Sequence, residues 1–275
     1  MARKKKRKSI KNKFKYLFIF MGILATSVGG FVFVNKIDPA LLTKLSFYID
    51  LANPSVEIVR VQEGLRKEQI AEIVGNRLGW TDEQKQDFLK IHLVLNKVDM
   101  EGHYFPKTYL IDKEDKPTDV SEEMINEYIR QVEEIEESQT IQDIDEDMAI
   151  KIASLIQREA GGKSDMRLIS GIIWNRIREE MKLQVDATLQ YAKGSEEDGW
   201  WQRVYPEDKK IQSPYNTYLN EGLPPGAISN PGPDALYAAY NPQKTDCLFY
   251  LHDKNKKIHC SRTYEEHKRN IDIYY

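Results

Sequence analysis

Glu159 ends an apolar helical stripe. Ile152, Leu155, Ile156 and Glu159 recur on one helix face, so a carboxyl group stands where the pattern calls for core. Ala160, Gly161 and Gly162 follow at once; they end the helix and let a backbone or a ligand come close. A carboxyl group half inside an apolar wall has its charged form disfavoured. Its pKa rises, and it can act as an acid near neutral pH. The plain alternative is a helix-end glutamate that swings out to water, the usual fate of a single Glu.

The rest of the C-terminal half weighs for the first reading. Ser154–Gly162 carries Glu159. Leu183–Thr188 alternates apolar and polar residues like a strand with one polar face. Ser213–Tyr218 sets two tyrosines around Asn216 and Thr217. Gly222–Ile228, followed by Asn230, Pro231 and Gly232, is a stiff loop of specific shape. Rings beside amides and hydroxyls suit a polar, amphipathic ligand such as a glycan. Each segment alone is weak, since Pro-Pro-Gly marks turns everywhere. Together they favour a polysaccharide cleft.

The N-terminal end sets an expected location. Residues 1–15 hold nine basic side chains and no acidic one, and residues 16–35 carry no charge at all. At about 1.5 Å per residue such a run spans a bilayer core of about 30 Å. Lys15 and Lys36 close it on either side. Its length and the lack of a clear small-x-small cleavage site favour an uncleaved anchor over a signal peptide. The basic tail then stays in the cytoplasm, and the rest lies outside a cytoplasmic membrane crossed once. The whole chain is −3; setting aside nine basic residues leaves −12 for residues 16–275. An acidic ectodomain is a poor partner for nucleic acid, so none is expected.

The elements follow from periodicity. Residues 36–55 read as a juxtamembrane connector. Val56–Val61 is a strand. Lys67–Leu78 is a helix, with Ile70, Ile73, Val74 and Leu78 on its face, and Thr81 caps the next. Glu101–Ile111 is an irregular strand, so 56–111 forms a small α/β module. Residues 112–147 hold an acidic amphipathic helix and a polar linker. Residues 148–275 form a mixed α+β unit: the helix ending at Glu159, a second capped near Ser164 or Asp165, irregular segments and a terminal hairpin. Cys247 and Cys260 flank that hairpin, and register decides whether they pair; the reading here is two unpaired, half-buried thiols. His259 and His267 are eight apart and read as structural, so neither metal nor cofactor is expected.

These residues carry a resemblance. The chain resembles the endolytic murein transglycosylases of the MltG (YceG-like) family over essentially its whole length. The motifs are Ala153–Ala160; Asn175-Arg176; Leu183–Thr188; Tyr215–Tyr218; Gly222–Ile228; Asn230–Gly232; Thr263–His267; and, in the small module, Glu101–Pro106 with Thr108-Tyr109. The resemblance implies a basic tail, one anchor, a small LysM-like subdomain and a C-terminal catalytic domain. It implies that Glu159 is the catalytic acid. Three departures stand out: Gln157 where many members have an acid, Lys107 where aspartate is frequent, and Cys260 where an aromatic is common.

The implied reaction breaks the β-1,4 bond between N-acetylmuramic acid and N-acetylglucosamine without water. It leaves a 1,6-anhydro ring, and its expected setting is wall synthesis beside peptidoglycan synthases. Gln184, Asp186, Tyr215, Asn216 and Tyr218 are the candidates for holding the sugar. Asp186 equally fits a turn cap. Tyr215 and Tyr218 also fit core aromatics with satisfied hydroxyls. Asn175 and Arg176 also fit a tie between two elements. If Asp186 lies across the cleft, the enzyme could be a water-using muramidase. A non-catalytic glycan-binding scaffold is the reading from outside enzymology.

Overall fold

A strand, two helices and a second strand form the small module, in the order the periodicity predicts. In the computed structural model, which describes residues 53–96, 99–141 and 144–274, β1 (Val56–Arg60) pairs with β2 (Thr108–Asp112). Between them lie α1 (Lys67–Leu78) and α2 (Asp82–Asn96). The expected tail and spanning helix, and most of the connector, lie outside the described residues. Among the described residues no helix is long and apolar enough to cross a membrane.

Ile70, Val74 and Leu78 bury the inner face of α1, whereas Ile73 is exposed, contrary to expectation. With Val59, Phe88, Tyr104 and Tyr109 they form the smaller hydrophobic core. The expected strand over 101–111 is a strand only from Thr108. Ahead of it Gly102 adopts φ 94°, and a Cβ there would stand 2.7 Å from that of Ala227, so the chain must turn there on a bare backbone.

One helix serves two cores. α3 (Pro117–Glu136) gives Val120 and Met124 to the smaller core and Tyr128, Val132 and Ile135 to the larger. The larger core is built on α4 (Glu146–Glu159), α5 (Lys163–Arg178) and α7 (Pro233–Tyr240). Asp145 caps α4 by accepting from the Met148 N–H at 2.7 Å. Ile152, Leu155 and Ile156 are fully buried along it, as the stripe predicts. α5 starts at Lys163, slightly before the expected cap, with no side-chain cap at Gly162. α7 stands where the sequence predicts irregular segments. Pro233 opens it and Ala235, Leu236, Ala238, Ala239 and Tyr240 are buried, too many for one face of an amphipathic pattern. Glu57–Tyr275 is one compact unit, of mixed α+β class.

Three further expectations are corrected. Leu183–Thr188 is no strand. Its alternation arises because Leu183 and Val185 are buried while the chain runs into the short helix α6 (Asp186–Lys193). After the hairpin of β3 (Phe249–His252) and β4 (Ile258–Ser261) comes an unpredicted helix, α8 (Tyr264–Tyr274). Its start is a capping box: Thr263 Oγ1 accepts from the Glu266 N–H at 3.2 Å, and Glu266 accepts from the Thr263 N–H at 3.1 Å. Finally, Cys247 and Cys260 form a disulfide. The antiparallel register sets Tyr250 opposite Cys260, and the chain just before β3 brings the Cys247 Cα to 5.8 Å from that of Cys260.

Candidate active site

Glu159 is the last residue of α4, and its half-buried side chain reaches a cavity of about 640 Å³. That volume lies in the range of small-ligand sites. Burial, the largest influence, holds the carboxyl above the usual carboxylate range, and the charge of Asp186 pushes the same way. Three groups pull back: the Tyr250 hydroxyl, the Ala187 N–H and the charge of His252. Ala187 lies in the first turn of α6, so a helix N-terminus offers its free N–H to the carboxylate. The Tyr250 hydroxyl donates to Glu159 Oε2 at 2.7 Å.

A second wall comes from the 183–188 and 213–218 segments, which lock together. Val185 N–H donates to Thr217 Oγ1 at 3.0 Å, and the Thr188 and Thr217 hydroxyls meet at 3.0 Å. Gln184 donates its N–H to the Thr217 carbonyl at 3.1 Å and adopts φ 51°, left-handed backbone that a non-glycine residue seldom takes. That turn presents Gln184 and Asp186 to the same cavity. The Tyr218 hydroxyl donates to Asp186 Oδ1 at 2.6 Å.

The third wall is the hairpin and α8, and α5 holds it. Arg176 donates from Nε to the Leu248 carbonyl at 2.6 Å and from Nη1 to the Leu183 carbonyl at 2.6 Å. Asn175 Nδ2 donates to the carbonyls of Thr245 and Cys247 at 2.8 and 3.0 Å. The Asn175-Arg176 pair is thus the tie between elements that the sequence allowed. Phe249, Tyr250, Tyr264 and His267 line this side, and Lys209 also lines the cavity.

The structure brings Glu159, Gln184, Asp186 and Tyr218 to one cavity and places Tyr215 and Asn216 elsewhere. Tyr215 packs on Tyr191, ring centroids 4.8 Å apart. Asn216 is fully buried; its Nδ2 donates to the carbonyls of Lys209 and Ile211 and its Oδ1 accepts from the Tyr218 N–H, so it holds the turn. Gln157 faces away, accepting from the Gly232 N–H at 3.0 Å. Sequence reasoning missed Tyr250. Between Phe249 and Leu251 it carries no signal of its own in the sequence, and only the fold sets its hydroxyl against Glu159.

Fold and site define an α+β protein with a polar cavity built around a half-buried carboxyl group at a helix end. The YceG-like family model matches residues 8–273, and the chain belongs to that family. An endolytic murein transglycosylase of Bacillus subtilis is 36% identical over 176 residues, covering 64% of this chain and 48% of that protein. The protein of that name from Streptococcus pneumoniae serotype 2 is 29% identical over 174 residues, covering 62% and 32%. The matched part is thus half of those relatives' length or less. A crystal structure of a putative YceG-like protein from Listeria monocytogenes superposes with TM-score 0.68 at 28% identity, covering 79% of this chain and 76% of that one.

Proposed function

We propose that the chain is a membrane-anchored endolytic lytic transglycosylase that cuts the MurNAc-β-1,4-GlcNAc bond of peptidoglycan and leaves 1,6-anhydro-MurNAc ends. The observation that carries this reading is the Glu159 carboxyl: half-buried, raised in pKa and open to a cavity of about 640 Å³. The names of the relatives from B. subtilis and S. pneumoniae agree with it. In this reading residues 16–35 anchor the chain in the cytoplasmic membrane with the N-terminus inside. The 56–111 module is LysM-like, supported by its strand–helix–helix–strand order. Glycan strands are the substrate, and peptidoglycan synthases of elongation or division work alongside.

Protonated Glu159 gives its proton to the glycosidic oxygen as the C1–O bond breaks through an oxocarbenium-like state. The carboxylate then takes the proton of the muramic C6 hydroxyl as that oxygen bonds to C1. The nucleophile belongs to the substrate, so no second carboxylate has to activate water, in contrast to ordinary glycosidases. Acid–base catalysis of this kind supplies about 10²- to 10⁴-fold. In this reading Gln184, Asp186 and Tyr218, which line the same cavity, hold the sugar.

A second reading rests on Asp186, which lines the same cavity: a hydrolytic muramidase with Asp186 as its second carboxyl. Mass spectrometry of peptidoglycan digested by the full chain in detergent, beside Glu159→Gln, decides. The expected result is anhydro-muramic ends from the wild type and none from the variant. Reducing muramic ends would favour hydrolysis. Release by Glu159→Gln at the wild-type rate would sink both readings.

A further inference from the structure

We propose that Tyr250 is the positioning residue of the candidate acid: its phenol, held on Glu159 Oε2 by the hairpin, fixes which carboxyl oxygen carries the transferable proton. This rests on the reading of Glu159 given above and adds a residue to it.

The geometry starts with a 2.7 Å contact from the Tyr250 hydroxyl to Oε2. A neutral carboxyl has one O–H oxygen and one carbonyl oxygen. A phenol that donates to Oε2 makes that oxygen the carbonyl, so the proton sits on Oε1. Once the proton has moved to the glycosidic oxygen, the same phenol donates to a carboxylate. Such a charge-assisted bond is stronger than the neutral one. Tyr250 therefore holds the group in place in both halves of the cycle.

The phenol's own placement is over-determined. Tyr250 pairs with Cys260 across the hairpin, and the Cys247–Cys260 disulfide closes the same pair of chains. Asn175 and Arg176 bind the carbonyls of Thr245, Cys247 and Leu248 just ahead of it. Glu159 leaves from α4, which packs on α5, and Tyr250 from β3, where the Arg176 guanidinium of α5 lies 5.1 Å from the ring centroid of the neighbouring Phe249.

Other charged or titratable groups face this carboxyl. Asp186 comes from α6, Arg176 from α5, His252 from β3 and Arg158 from α4, and Tyr218 adds a phenol. Lys209 and His267 also line the cavity. Among the described residues only Tyr250 hydrogen-bonds the carboxyl through a side chain.

The test is the pH profile of the full chain in detergent on purified peptidoglycan, with kcat and KM separated. With Tyr250→Phe, kcat should fall roughly tenfold or more, a share of what acid–base catalysis supplies. KM should hold, and the alkaline limb should move to higher pH, because the carboxylate has lost a donor. Replacing Tyr250 by a fluorinated tyrosine, same shape but a stronger donor, should move that limb to lower pH, and this variant keeps the hairpin even if Tyr250→Phe does not fold. An unchanged limb in the fluorinated protein overturns the proposal. If Glu159→Gln is inactive while that limb stays put, this inference alone fails. If Glu159→Gln is fully active, the underlying reading falls first.

Discussion

A carboxyl group that gives a proton and takes one back works best when its pKa lies near the working pH. Glu159 is moved towards that condition from both sides. Burial and Asp186 raise it, while Tyr250, the Ala187 N–H and His252 restrain the rise. In the proposed reaction the acid form of Glu159 is the one that starts the cycle. Because the folded pKa is raised, that form survives above the usual carboxylate range, and activity should fall as pH climbs through the raised value. Asp186→Asn removes a negative neighbour, so the Glu159 carboxylate becomes less costly and its pKa drops. The alkaline limb of kcat/KM should then move to lower pH, opposite in sign to Tyr250→Phe. Products should keep their anhydro ends, with a rate loss of about tenfold for the weakened grip of Tyr218 on this wall. Loss of all turnover in Asp186→Asn would instead assign Asp186 the second-carboxyl role of a hydrolase.

Among the elements, the hairpin carries the most of the site on the least secondary structure. Two four-residue strands present Phe249 and Tyr250, and two α5 side chains and one disulfide hold them. An isolated two-stranded hairpin is marginal in water, so these ties matter. Cys247→Ser with Cys260→Ser should lower stability by about 3 kcal/mol, the usual size for so short a loop, read as a lower denaturation midpoint. Activity should fall with it, since Tyr250 loses one of its restraints. A double variant with wild-type stability would show that Asn175 and Arg176 suffice. The long amphipathic helices were legible because one apolar face repeats over several turns: α1, α4 and α5 appear where Ile70, Leu155 and Ile172 place them. α6 and α7 were not, for two physical reasons. Eight residues hold barely two turns, and α7 is apolar on more than one face. α8 had its signal in Thr263 and Glu266, a capping box that the apolar pattern overshadowed. At the site, Glu159 was readable because a charge interrupts a stripe. The separation of Tyr218, which meets the cavity, from Asn216, which holds the turn beneath, was not, because adjacent residues of one motif part only when Thr217 locks to Thr188.

On the scale of the whole compact unit, the two cores meet along a polar seam, and its centre is a buried carboxyl. Glu101 is 3% exposed; its Oε1 accepts from the Lys67 N–H and from Asn230 Nδ2, while Asn230 also accepts from the Tyr104 N–H. Nearby, the Arg66 guanidinium lies 4.0 Å from the Tyr191 ring centroid, and Trp201 donates to Gln69, so the small module is fastened from several directions. Burial pushes Glu101 up to about 8, and this has a consequence for stability. Between the ordinary carboxylate value and about 8 the folded chain holds a proton that the unfolded chain has lost. Stability from this group is therefore complete below the ordinary value and declines as pH rises through about 8. Glu101→Gln keeps the oxygen that accepts from Lys67 and Asn230 and has no charge to bury. Variant and wild type should be nearly equal in stability at about pH 5. At about pH 9 the variant should be the more stable by several kcal/mol at most, since each pKa unit is worth about 1.4 kcal/mol. Denaturant unfolding of both proteins at the two pH values measures the difference. A gap that stays constant with pH would mean that Glu101 is ionised in the folded protein, with the seam built around a charge instead of a neutral acid.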